Sequence, residues 1–584
     1  MAASSPTTLF RASGRRILRY AAAAAAAGSG AAWSMPIDLG DADLALRWDN
    51  SVRYNLGVRA QKTDPAILAN ASYDNSDSKF DRGDVVTDRF DLLSEADLVY
   101  KRRNGARLSG ALWVDFAYLD DSERTGDASF VVPGLGDLSS AYPRNRYTPY
   151  TRRWNRGPSG EVLDAFVFAG FDIGDVPVDV KLGQHTIYWG ESLFSFVHGV
   201  SYGQGPVDIR KSLANPGVEA KEIFKPLPQL SATARLTDTV SVAGQVFLGW
   251  KPSAFPDGGT YFGVLDAMSQ GGGTYVLNPA QAAAVSAGLG GVPVAAAPFV
   301  PTFGSPHKVG DWGLMTRWSP EWLAGTLGLY VRKYNDKLPQ FVLGGLQAEP
   351  LALGVGLPTS LGLSYQHKRV TLVGASVSTV VAGVSVSGEV AHRSGTPLLM
   401  GGATLLGQEP TGDTWHALAN AIAYIGKTPV FDSAALTAEV TWSALDKLGH
   451  HPENFNSTTQ ACAALADRLG CATHSAWGLT ARFVPTWFQV LPGADLSLPM
   501  LWSAGIKGTS PVLFGGYEGA GSWSVGPVLD LKSRVTIALA YNGSYTRHHD
   551  DSVNAFGQRQ VGGIGGIGAQ WDRGWVSLTV KAAF

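Results

Sequence analysis

The residues that could do chemistry are few, and most sit in one stretch. It runs Gly183-Gln-His-Thr-Ile-Tyr-Trp-Gly-Glu-Ser192, then Gly203-Gln-Gly-Pro-Val-Asp-Ile-Arg210, then Asn215-Pro-Gly-Val-Glu-Ala-Lys-Glu222. Ser192 with His185 or His198, and Glu191 to orient a base, supplies the residue types of a nucleophile, a base and a third group. The spacing argues against acyl transfer, because His185 is seven residues from Ser192 and no Gly-x-Ser-x-Gly turn surrounds the serine. No enzyme activity and no cofactor are expected. Asp74, Asp77, Asp81, Asp84 and Asp88 offer oxygen ligands for Ca²⁺ but lack the spacing and bidentate glutamate of an EF-hand, so a solvated acidic loop is the expectation. His548-His549-Asp550-Asp551 reads as an exposed polar tip, with a divalent ion as the alternative. No metal site is expected. Cys462 and Cys471 lie nine positions apart with only His474 nearby, which points to an exposed, loop-closing disulfide rather than to metal ligation.

What positions these groups is legible in the last ten residues, Trp575 to Phe584. Val576, Leu578, Val580, Ala582 and Phe584 fall on one face of a strand, and Ser577, Thr579 and Lys581 on the other. An apolar face that runs to an aromatic C-terminus suits the closing strand of a barrel in lipid, and Phe584 is expected to act as its assembly signal. Composition agrees. Glycine is 70 of 584 residues and charged residues are only 16%, against roughly 7% and 25% in soluble domains. No run of 18 apolar residues exists, so a helical membrane protein is excluded. A net charge of −2 implies no basic face for nucleic acid. Residues 1–34 carry Arg11, Arg15, Arg16 and Arg19 before an alanine-rich segment, the pattern of a secretory signal peptide.

Residues 35–584 are expected to form one antiparallel transmembrane β-barrel of the outer-membrane type, with about 18 strands and 16 as the second choice. Strand one spans Leu44 to Arg59, and Asn104-Gly105 is read as the turn of the next hairpin. Further tight turns fall at Gly174-Asp175, Thr237-Asp238, Ser319-Pro320, Ala382-Gly383, Leu491–Ala494 and Lys532-Ser533, alternating with long polar connections. Polar residues opposite the apolar faces would line the lumen: Asp91, Glu95, Asp97, Arg107, Asp115, Asp179, Lys181, Glu389, Glu439 and Lys581.

The segment first described, with Phe80-Asp-Arg-Gly-Asp, Arg89-Phe-Asp-Leu-Leu-Ser-Glu, Gly388-Glu-Val and Asp572-Arg, resembles the bacterial "domain of unknown function 1302" family of outer-membrane proteins. The resemblance covers nearly all of the mature chain. It implies a bacterial outer-membrane barrel inserted by the barrel-assembly machinery. It also implies periplasmic partners and an inner-membrane exporter of the resistance-nodulation-division type, and hence the handling of hydrophobic molecules. Trp189, Glu191, Ser192, Asp208, Arg210, Lys221 and Glu222 are the candidate substrate or gate residues, with a purely structural plug as the other reading. Segment 188–226 is expected to enter the lumen, with Glu191 and Asp208 held by wall cations such as Arg107 or Lys181. The function expected is passage of a hydrophobic or amphiphilic small molecule. The alternatives are a general diffusion porin for polar solutes and a barrel that only anchors partners.

Overall fold

The computed structural model describes residues 35–584 except 42, 71–72, 121, 123–130, 133–135, 138–141, 143–145, 264, 267–272, 277–295, 304–305, 348–356, 366–367, 465–469, 548–550, 554–558 and 562–569. The signal-peptide reading of residues 1–34 and most of the His548–Asp551 tip lie outside the described residues.

Alternating sequence becomes alternating structure. The first strands are β1 (Leu44–Arg59), β2 (Val85–Tyr100), β3 (Asn104–Asp115), β4 (Ser159–Ile173), β5 (Val176–His185) and β6 (Leu227–Arg235). There follow β7 (Val240–Phe247), β8 (Trp312–Trp318), β9 (Thr326–Tyr334), β10 (Val370–Val381), β11 (Val384–Pro397) and β12 (Thr411–Ile425). The last are β13 (Ser433–Leu448), β14 (Ser475–Leu491), β15 (Ala494–Ser497 with Met500–Lys507), β16 (Ala520–Val525 with Val528–Leu531), β17 (Val535–Thr546) and β18 (Trp575–Ala583). Each pairs antiparallel with its sequence neighbour, and β18 pairs with β1 from Ser51↔Ala583 to Arg59↔Trp575. The result is a closed barrel of eighteen strands. Closure leaves no free edge, the condition for strands to cross a bilayer.

Its outer face is apolar where a soluble protein's would be polar. Leu108, Leu112, Val167, Leu182, Leu314, Leu329, Val373, Val440 and Leu539 are all exposed. Exposed aromatics flank this band, with Trp48, Tyr100, Trp322, Tyr424 and Phe488 towards the short turns and Trp415 and Trp477 towards the long connections. An even strand number, an apolar belt between aromatic girdles and short turns opposite long loops are the architecture of a bacterial outer-membrane barrel. The protein belongs in that membrane. No described helix is long and apolar enough to cross a membrane.

The closing seam is tied at both ends. Phe584 donates its N–H to the Asn50 carbonyl at 2.8 Å and accepts from the Asn50 N–H at 2.6 Å. Below it, Met35–Asp38 pairs with Trp48–Ala45, covering the part of β1 that β18 does not reach. At the loop end, buried Arg59 bonds Asp77 at 2.7 Å and Asp572 at 2.8 Å.

Three expectations need correction. Asp74 and Asp77 are buried, and Asp77 serves the seam, so the acidic run is not simply a solvated loop. The β2–β3 turn is made by Lys101 and Arg102 at positive φ, while Asn104 and Gly105 already belong to β3. Gly105 is needed there for packing, because a Cβ would lie 2.0 Å from the Leu98 carbonyl oxygen. The Cys462–Cys471 disulfide is present, but both residues are buried beside Asn456 rather than exposed.

Above the barrel, pieces of several connections form a second sheet in the order Gly273–Val276, Ala296–Phe303, Leu357–Ser364, Gln340–Gln347, Thr404–Leu405. Two of its pairings are parallel, which joins segments of different loops.

Deleting Phe584 removes both backbone bonds to Asn50 and the apolar residue that follows β18. We expect less assembled barrel in the outer membrane, measured as heat-modifiable protein in membrane extracts; a Phe584→Lys variant should fall less far, since its backbone bonds remain.

Candidate functional site

After His185 the alternation stops and the chain leaves the wall. The His185 ring fixes that exit point, lying 2.8 Å from the Ser231 hydroxyl on β6 and 3.0 Å from the Gly183 carbonyl. Residues 186–226 then cross the lumen in irregular conformation, relieved by two short helices, Ile209–Ala214 and Ala220–Ile223. An irregular chain at membrane depth must have its backbone groups satisfied by protein.

The wall does this with charge. Glu389 on β11 accepts the backbone N–H groups of Glu191, Ser192 (3.0 Å) and Val200 (2.6 Å). Glu439 on β13 accepts those of Leu193 (2.7 Å), Phe194 (3.2 Å) and Ser195 (2.7 Å). The carbonyls are taken by cations. Arg332 on β9 donates to Val200 (2.8 Å) and Tyr202 (2.6 Å), and Arg393 on β11 donates to Val197 (2.6 Å) and Gly199 (2.9 Å). Asn420 on β12 donates to the Glu191 carbonyl at 2.6 Å. Gly190, at φ +95°, lets the chain come this close: a Cβ there would sit 2.3 Å from the Glu389 carboxylate.

His198 continues the pattern. Its Nε2 is 2.9 Å from the Gly515 carbonyl and its Nδ1 is 3.1 Å from Nδ1 of His416, whose Nε2 is 3.0 Å from the Thr414 hydroxyl. One assignment satisfies all three contacts: Thr414 donates to His416, His416 to His198, and His198 to Gly515, with both rings neutral. Burial, aided by the Arg393 charge, pushes the His198 pKa from 6.5 down to about 4.

The second half of the insert meets the opposite wall through ion pairs. Asp208 is fully buried between Arg210 (3.1 Å) and Lys225 (2.7 Å). Burial alone would raise its pKa, but these cations hold the carboxyl far below the usual range. Lys211 and Lys225 reach Glu161 on β4 at 2.6 and 2.8 Å. Lys221 bonds Glu95 on β2, Glu222 bonds Arg53 on β1 at 3.0 Å, and Glu219 bonds Lys581 on β18 at 2.6 Å. Between the two anchor sets lies an apolar cluster in which Trp189, Val200, Tyr202 and Ile209 pack with the wall residues Tyr330 and Leu372.

The site residues chosen from sequence are thus distributed. Trp189 is buried, with its N–H on Gln204 (2.9 Å). Ser192 donates its hydroxyl to the Ser195 carbonyl, so Ser192, His185 and His198 are each committed to other partners and form no hydrolase set. Arg107 and Lys181 do not hold Glu191 and Asp208 as expected. Arg107 is taken by Glu95, Asp97 and Asp164, and Lys181 lies over the Phe166 ring near the turn end. Glu191 uses its backbone against the wall, and burial raises its carboxyl pKa with only the Arg317 charge opposing. Asp91 bonds Arg89 and Arg53, Asp115 caps the turn after β3, and Asp179 stays exposed. Sequence reasoning missed Arg53, Arg332 and Arg393, although the same alternation that marked Glu389 places all three on lumen faces.

The insert leaves one side open. Tyr188, Leu193, Phe194, Phe196 and Phe224 border a cavity of about 260 Å³ inside the lumen.

A family model described as "Protein of unknown function (DUF1302)" matches residues 15–584. The chain belongs to the DUF1302 family. No curated protein matches it. Among solved structures, this DUF1302 chain is similar to OccAB4 of Acinetobacter baumannii, at 8% identity over 92% of this chain and 98% of the other, with TM-score 0.40. It is similar to OccK9 (OpdG) of Pseudomonas aeruginosa, at 10% identity over 92% and 98%, with TM-score 0.38. It is also similar to the outer-membrane channel DcaP of A. baumannii, at 11% identity over 93% and 98%, with TM-score 0.32. At this distance the DUF1302 barrel is established by its own strand pairing.

Two outcomes follow from these anchors. Replacing Glu389 or Glu439 by Ala leaves three buried N–H groups without acceptors, costing about 3 kcal/mol or more. We expect the assembled barrel to persist while the insert becomes cleavable by protease in detergent extracts. Acid should act similarly. Protonating His198 sets two N–H groups face to face at His416. Because the His198 pKa is lowered from 6.5 to about 4, its contribution is complete above 6.5 and lost as pH falls towards 4, on the order of 3 kcal/mol. Protease sensitivity of the insert measured against pH should rise over that window, and a His198→Asn variant should flatten the dependence.

Proposed function

We propose that this DUF1302 protein is an outer-membrane channel for a hydrophobic or amphiphilic small molecule. The observation that carries the reading is the apolar surface around the 260 Å³ cavity, where Tyr188, Leu193, Phe194, Phe196 and Phe224 meet lumen space inside a wall that is otherwise charged. A pore for ions gains nothing from five aromatic or aliphatic side chains around this cavity. An apolar solute does, because each buried methylene contributes about 0.8 kcal/mol. Passage is passive: the barrel supplies the hole, and the insert supplies a surface that favours one kind of molecule. A molecule of low water solubility cannot cross the periplasm freely, so we include a periplasmic carrier and an inner-membrane exporter of the resistance-nodulation-division type as partners in the proposal.

Replacing Tyr188–Glu222 by a short Gly-Ser bridge tests the reading. The barrel should still assemble, show larger single-channel conductance, admit bulky polar antibiotics and lose its preference for apolar over polar solutes in liposome flux assays. Unchanged conductance in the assembled variant would show that the segment does not narrow the lumen, and larger conductance with unchanged preference would favour a barrel whose insert only plugs.

A further inference from the structure

The barrel wall has a gap beside the insert. Pairing between β4 and β5 begins at Ala165↔Gln184, so the upper part of β4, from Ser159 to Asp164, has no strand partner on that side. β5 has already turned inward, and β6 starts only at Leu227. An open edge at this depth is tolerable only where protein or a lined cavity satisfies its backbone. Side chains do so here. The Gln184 side-chain amide donates to the Val162 carbonyl at 3.0 Å and also to that of Leu163, and Arg153 donates to the Gly160 carbonyl at 3.2 Å. The gap is therefore finished as an opening.

A cavity of about 910 Å³ passes through it. Its lining joins the two sides of the wall: Leu112 and Val162, which face outward and are exposed, and Arg210 and Lys225 of the insert, which face the lumen. Tyr150 and Trp154, on the helix Pro149–Asn155, add aromatic surface. Gly110 and Gly160 keep the wall thin, and a Cβ at Gly160 would lie 2.4 Å from the Leu112 side chain. Charge at the mouth is one-signed. Arg153 and Lys251 are exposed on this lining, and neither meets a carboxylate among the described residues. Further in, Glu161, Lys211 and Lys225 already pair with one another.

We infer that this gap is a lateral portal between the outer leaflet and the lumen, and that it takes single-chain amphiphiles with an anionic headgroup. The inference rests on the proposed passage of amphiphiles and names both their route and their charge. The tail lies along Leu112, Val162 and the Trp154 ring, an apolar surface continuous with the bilayer. The headgroup is held by Arg153 and Lys251 while the tail leaves lipid, which spares the charge an unpaired passage past the membrane edge. Carboxylates and phosphate monoesters share this chemistry. The phosphates of a lipid in the outer leaflet are the competing source.

The test uses full-length protein in liposomes and two fluorescent probes of equal chain length, a long-chain carboxylate and the corresponding alcohol. The variants are the double Arg153→Glu/Lys251→Glu and the cavity-filling Val162→Trp, each checked for assembly by heat modifiability. Wild type should carry both probes and prefer the carboxylate. The charge-reversed variant should bind the carboxylate about tenfold more weakly or worse, the loss of one charge-assisted hydrogen bond, with the alcohol unaffected. Val162→Trp should slow both probes while leaving ion conductance unchanged. Carboxylate binding that is equal in wild type and the charge-reversed variant overturns the portal's headgroup selectivity. Unslowed flux through Val162→Trp overturns the lateral route. If purified lipopolysaccharide, and not the carboxylate, loses affinity in the charge-reversed variant, the site is a patch for a resident lipid and the inference fails. Wild-type liposomes that carry neither probe overturn the proposed function itself, and the portal with it.

Discussion

An irregular chain inside a membrane must find a partner for every buried amide, and that constraint shapes this barrel. Residues 186–226 have only two short helices of their own. Their N–H groups are gathered by Glu389 and Glu439 and their carbonyls by Arg332 and Arg393. A carboxylate with three N–H donors and a guanidinium with two carbonyl acceptors each replace several missing ladder bonds. They also explain what the charged residues on the lumen faces of the wall strands are for. Each charge is desolvated by the insert and compensated by its backbone, so the insert holds this path only against this wall.

The lumen is consequently divided. Towards β9–β13 the insert is held by backbone contacts and by an apolar cluster around Trp189 and Tyr202. Towards β1, β2, β4 and β18 it is held by side-chain ion pairs from Glu222, Lys221, Lys211 and Glu219. Ion pairs of this kind add little net stability, but removing one partner strands a buried charge, so they fix position more than they add energy. The insert is thereby pinned from opposite sides, and the space it leaves is set in shape.

The strand pattern was legible because lipid on one side and water on the other impose a strict period of two, so β1, β18 and most tight turns fall where alternation places them. Lumen charges such as Glu389 and Glu439 were legible for the same reason. Their partners were not, because the insert is irregular and pairing across a lumen depends on three-dimensional reach. Asp208 illustrates this: it is neutralised by Arg210, two residues away, and by Lys225, not by a wall cation. Asn104-Gly105 misled because a turn signal records what a dipeptide permits, while the register of β2 on β3 required Gly105 for a close approach to Leu98. The acidic run misled because composition does not reveal that Arg59 lies beneath it. The gap beside β4 could not be read at all, since a missing strand partner leaves no mark on the strand that lacks it.

The sheet above the barrel has a consequence for the cell surface. Its parallel pairings join Ala296–Phe303 to Leu357–Ser364, and Gln340–Gln347 to Thr404–Leu405, so three separate connections share one set of hydrogen bonds. Surface loops usually vary independently, each free to lengthen or change. Here the middle connection, with Gln340–Gln347 and Leu357–Ser364, is bonded to both others, so a change in its length disturbs both. Insertions or deletions in the middle connection would have to be matched by its neighbours, so the three connections change length together or not at all.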